Sequence, residues 1–174
     1  MKRATAADLV GLDPSALAFF ERVQAVIDLA AHREPDELAH ALDSNGFAAS
    51  ASALAFNARF GGLRHIGEDH IDPVPPHLEG VVTALSLGIA TVFDPRSADA
   101  RAEAFDTIDD HDARDAIRAL TPIGFLYTGG WIALLMDADG RVFVLSPETG
   151  EPTQIAASGV EFLNDHARRA QRVR

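Results

Sequence analysis

The chain has 174 residues, enough for one domain with a substantial core, and 47% apolar with 24% charged residues places it among globular chains. It contains no cysteine, which excludes disulfides, thiolate metal sites, thiol nucleophiles and cysteine-ligated clusters. The net charge of −11 is uneven: Lys2, Arg3, Arg168, Arg169, Arg172 and Arg174 sit at the ends, while residues 4–167 hold nine Arg against all 26 acids, a body that repels nucleic acid and anionic membrane and attracts a basic partner.

Asp13 as N-cap and Pro14 at the first helical position open a helix. Leu17, Phe20, Val23 or Gln24, Ile27 and Ala30 recur at helical spacing, widened by Phe19 and Val26, and predict that it runs to about His32. Pro35 then disfavours a helical Glu34. A short helix over 35–43 carries Leu38, Ala41 and Leu42 and stops at Asn45-Gly46. A third over 50–60 turns Leu54, Ala58 and Phe60 inward and stops at Gly61-Gly62.

Residues 63–66 read as a short strand and 67–79, with Pro73, Pro75 and Pro76, as an exposed loop. The 81–93 stretch is ambiguous, with a helical turn at its front and a β-branched strand over 89–93 ended by Asp94-Pro95. Residues 97–105 are weakly helical. Asp109 or Asp110 can cap a helix through Ala113, Ile117 and Leu120 that ends at Thr121-Pro122. Residues 131–136 and 141–145 are two strands around the Asp137-Ala-Asp-Gly140 turn, in which Gly supplies positive φ. Ser158 opens a closing helix with Val160 or Glu161, Leu163 and Ala167 along one side and Arg168, Arg169 and Arg172 towards its negative end. There is no internal repeat and no linker. Helices first, strands next and a closing helix describe a single α+β domain with a mainly antiparallel central sheet and flanking helices.

The candidate chemistry is thin. A calcium loop at Asp137-Ala-Asp-Gly140 lacks its further ligands, because Leu135 and Ser146 stand where they belong, so the segment reads as a hairpin turn. His65, Glu68, Asp69, His70 and Asp72 crowd one loop. Two His and a carboxylate could build a metal site, but the two His are five apart, not at helical i, i+4 spacing, and no metal is assigned. Gly61-Gly62 and Gly129-Gly130 lack the P-loop Lys and the G-x-G-x-x-G order, so both are turns. Ser146, Ser158 and the seven His show no nucleophile elbow or triad spacing. No catalytic residue, metal or cofactor is expected. The densest acidic cluster is Asp106, Asp109, Asp110, His111, Asp112 and Asp115: residues 99–115 carry seven acids and two Arg. Helix capping with solvation, a metal site, or docking of a basic protein could account for it; the spacing fits no metal pattern, and capping alone covers only one or two of these residues. Tyr127, in an exposed turn, is a candidate binding anchor, whereas Trp131 reads as core. No apolar run approaches the roughly 18 residues that span a bilayer, and no apolar stretch of signal-peptide length follows Lys2 and Arg3, so the chain reads as cytoplasmic.

Several segments occur in a suggestive order: Asn45-Gly46-Phe47 after a short helix, Phe60-Gly61-Gly62-Leu63, Val92-Phe93-Asp94-Pro95, 120–124, the 136–143 hairpin, and the helix start at 158–163. Over roughly residues 38–167 the chain resembles the SUKH superfamily, which includes many bacterial immunity proteins against polymorphic toxins, and within it the third group. The resemblance implies a SUKH-like α+β domain over 35–174, with residues 1–34 as a helical extension packed on it. It also implies non-enzymatic binding and neutralisation of a cognate toxin, often a nuclease or nucleic-acid deaminase with a basic cleft. A protein-interaction or regulatory domain of the same fold with an unrelated partner is the alternative. The partner-facing positions follow from charge rather than from the family: Asp106, Asp109, Asp110 and Asp112 first, Glu68, Asp69 and Asp72 second, with Tyr127 as anchor.

Overall fold

The computed structural model describes residues 1–29, 34–44, 47–70, 82–86, 117, 119–127, 131–145 and 151–172. They form β1 (Lys2–Arg3), α1 (Pro14–Arg22), β2 (Val26–Ile27), α2 (Pro35–Ser44), α3 (Ala51–Phe60), β3 (Leu63–His70), β4 (Val82–Ser86), β5 (Thr121–Tyr127), β6 (Trp131–Met136), β7 (Val142–Leu145), β8 (Pro152–Ala156) and α4 (Gly159–Arg172). The strands make one sheet in which each pairs antiparallel with its neighbour in the chain, in the order β1 to β8. The α+β class expected from the sequence is therefore observed.

Both faces of the sheet centre are covered, which is why β6 is apolar at every position and shows no alternation. Ile132, Leu134 and Met136 enter the main core with Val142 and Val144 of β7, beneath Phe19 and Phe20 of α1, Phe56 and Phe60 of α3, and Phe162 and Leu163 of α4. Ala133, Leu135 and Leu145 enter a second cluster on the other face with Ile117 and Leu120. Phe47 joins that cluster to Leu38 and Leu42 of α2.

The first helix is shorter than its apolar stripe predicts. It ends at Arg22, and Val26 and Ile27 pair with Arg3 and Lys2 on one side and with Arg64 and Leu63 on the other. Gln24 takes a left-handed φ of 54°. Its N–H donates to the Glu21 carbonyl at 3.1 Å, and the Ala25 N–H donates to the Phe20 carbonyl at 2.9 Å. Those two bonds are a Schellman termination. The β-branched pair beyond it serves the sheet, so the segment expected as a helical extension contributes two strands as well as a helix, and its Leu9, Leu12, Ala16, Phe19 and Phe20 lie in the main core.

The inward face of α3 is also displaced. Ala53, Phe56, Asn57 and Phe60 are buried, Leu54 packs towards α2 and Ala58 is exposed. The i, i+3, i+4, i+7 stripe was obscured because a polar Asn occupies one of its positions. Ser50 caps α3 by accepting the Ala53 N–H at 3.2 Å. After the helix, Gly62 adopts φ +76°, and a Cβ there would collide with the Asp28 carbonyl oxygen. The close approach lets the Asp28 N–H reach the Gly62 carbonyl at 2.8 Å and seats β3 beside β2.

Three further expectations are corrected. β3 continues to His70, so residues 67–70 are strand and not loop, and 82–86 is a strand and not a helical turn. Thr121-Pro122 opens β5 and does not end a helix; Ile117 is helical and Leu120 lies in a turn. Pro122, which has no N–H to donate, sits beside a register shift between Pro122 and Gly124. The 89–93 strand, the 97–105 helix and the 109–116 part of the capped helix lie outside the described residues.

Candidate partner-binding surface

The sheet register brings part of the expected surface together. Ile66 pairs with Ala84, Ala84 with Tyr127, and Tyr127 with Trp131, one row across four strands. Glu68 and Asp69 follow Ile66 on β3, at the place where the β3–β4 ladder shifts register between Ile66 and His70. Neighbouring strands lie about 4.8 Å apart, so the backbone of Ile66 is about 10 Å from that of Tyr127. Tyr127 is therefore the last residue of β5 and not part of a turn. Asp72, Asp106, Asp109, Asp110 and Asp112 lie outside the described residues.

His65, within the expected 63–66 strand but grouped with the acids that follow it as a candidate metal ligand, is 3% exposed and belongs to the main core face of β3. Opposite it lies His166 of α4, which sequence spacing had not singled out, with ring centroids 6.2 Å apart. The signal was present, since 159, 162, 163, 166, 167 and 170 fall at i, i+3, i+4, i+7, i+8 and i+11 and are buried, with Asn164 buried beside them. Burial first, then the neighbouring His65 and Arg169, lowers the His166 pKa from 6.5 to about 3, so its ring is neutral at neutral pH.

The 137–140 segment is a turn whose carboxylates are held by the chain itself. Asp137 accepts the Arg141 backbone N–H at 2.9 Å and the Arg141 Nε–H at 2.6 Å, and Asp139 pairs with Arg141 at 3.0 Å. Gly140 supplies the φ of +85° that the turn requires. Partial burial opposes ionisation of Asp137, but the Arg141 side chain and N–H, its charge and the Asp139 N–H outweigh it and hold the carboxyl below its ordinary value. The Ser52 hydroxyl on α3 donates to the Ala138 carbonyl at 2.8 Å and ties the turn to the helix layer.

Among the described residues no three His, Asp or Glu side chains converge as metal ligands, and no helix is long and apolar enough to cross a membrane. No family model, curated protein or solved structure matches the chain.

Proposed function

We propose that this chain is a non-enzymatic, cytoplasmic immunity protein that binds and neutralises a cognate, basic, nucleic-acid-targeting bacterial toxin. The observation that carries the proposal is the charge distribution: residues 4–167 hold nine Arg against 26 acids, and seven of those acids fall within residues 99–115. A surface of that sign suits a cleft built for phosphates, and its field speeds encounter with a basic protein. The SUKH-like order of segments supports the same reading. The β3 segment that carries Glu68 and Asp69 lies two strands from Tyr127, and acidic and aromatic residues on nearby strands suit a cationic partner.

The test begins with the gene beside the one encoding this chain. Its product, purified as an inactive variant, is titrated with the wild-type protein and with two variants, Asp109→Ala/Asp110→Ala/Asp112→Ala and Glu68→Ala/Asp69→Ala. Binding should be tight, association should slow as salt rises, and the triple variant should associate about tenfold more slowly at low salt. Salt-indifferent binding, unchanged in both variants, sinks the acidic docking surface. A neighbouring gene that encodes no toxin, together with capture of an unrelated protein, favours the interaction-domain alternative.

A further inference from the structure

The imidazoles of His65 and His166 meet where α4 lies on the sheet, and both residues are 3% exposed. Aromatic rings make up much of their surroundings. Phe19 stands edge-on to His65 at 5.2 Å and to His166 at 5.8 Å. Phe20 stacks on His166 at 6.4 Å, and Phe162 lies tilted against it at 6.3 Å. Nε2 of His166 is buried without a hydrogen-bond partner among the described residues. From β3 this ring faces His65, and on its own helix Arg169 acts on it, both opposing a positive charge. From α1 it faces Phe19 and Phe20, with the Arg22 guanidinium carbon 5.5 Å from the Phe19 centroid. A proton added at His166 would create a cation in an aromatic core with like charges as neighbours.

We propose that the histidine pair is an acid-sensitive latch: with the His166 ring neutral, α4 stays seated on the sheet, and its protonation releases α4 while β5 to β7 remain paired. The cation needs water, and the α4 seam is where water can reach it with least loss. The strands are held by backbone ladders, whereas the polar ties of α4 to α1 are side-chain bonds: Asn164 Oδ1 accepts the Asp13 N–H at 2.9 Å, and Gln171 Nε2 donates to the Ser15 carbonyl at 2.8 Å.

The folded-state pKa is depressed, to about 3 from 6.5, so the unfolded chain binds the proton more readily. The stabilisation from the neutral ring is therefore present above pH 6.5 and is lost progressively as pH falls through the window down to 3. Between pH 7 and pH 5 this residue alone should weaken the folding equilibrium about 20- to 30-fold.

The test combines NMR on the wild-type chain with urea unfolding of His166→Gln and His166→Leu. The His166 ring resonances should not titrate between pH 7.5 and pH 5. Amide protection in α4, corrected for intrinsic exchange, should fall at pH 5 more than that of β5 to β7. Both variants should lose the 20- to 30-fold component of the pH dependence. A ring titrating near 6.5, protection lost equally in α4 and the strands, or variants that keep the wild-type pH dependence overturns the latch. Should the variants fold poorly, the two wild-type measurements decide it alone.

Discussion

The hydroxyl of Thr121, the first residue of β5, accepts the backbone N–H of Ser50 at 3.2 Å and donates to the Ala48 carbonyl at 2.7 Å. Thr121 is fully buried, and Ser50 caps α3, so one hydroxyl joins the start of a central strand to the start of a helix. Thr121→Val keeps the shape and leaves the Ser50 N–H and the Ala48 carbonyl without that partner. The variant should lose about 0.5–1.5 kcal/mol of stability in urea unfolding with an unchanged m-value. A loss below a few tenths would mean that water replaces the hydroxyl.

How much of the fold could be read in the sequence depends on how local its causes are. The β6–β7 hairpin was legible because Asp137, Gly140 and Arg141 make their turn within five residues. The closing helix was legible from Ser158 and Glu161: Ser158 Oγ accepts the Glu161 N–H at 3.1 Å, and Glu161 reaches back to the Ala157 N–H at 2.7 Å. The end of β3 was not, since Glu68, Asp69 and His70 are polar and the strand's end is fixed where His70 pairs with Val82. Of the candidate surface, the charge could be counted directly. The alignment of Ile66 with Tyr127 is a consequence of register across β4, which no spacing along the chain reveals.

Gln24 is the one residue other than glycine with positive φ among those described. A side chain at the left-handed C′ position of a helix is strained, and glycine is the residue usually found there. Gln24→Gly should therefore raise stability by about 0.5–1 kcal/mol, measured as a higher urea midpoint, without altering the main core. A destabilised variant would show that unfolded-chain entropy outweighs the relief of strain.

Asp8 places a second acid response below that of His166. Its carboxylate accepts the Lys2 ammonium at 2.6 Å, the Thr5 hydroxyl at 2.7 Å and the Thr5 N–H at 2.9 Å. The Lys2 bond first, then the two from Thr5, lower its pKa from 3.8 to about 2. A depressed carboxyl pKa contributes stability that is present above pH 3.8 and lost as pH falls through 2. Lys2 is half exposed, so water screens the pair and the contribution is below about 1 kcal/mol. Asp8→Asn should thus lie slightly below wild type in stability at pH 7 and at pH 5, and the gap should close by pH 2. The His166 variants should diverge from wild type between pH 6.5 and 3 instead, so urea midpoints at pH 7, 5, 3 and 2 separate the two groups. A gap for Asp8→Asn that persists at pH 2 would place its cause in packing and not in ionisation.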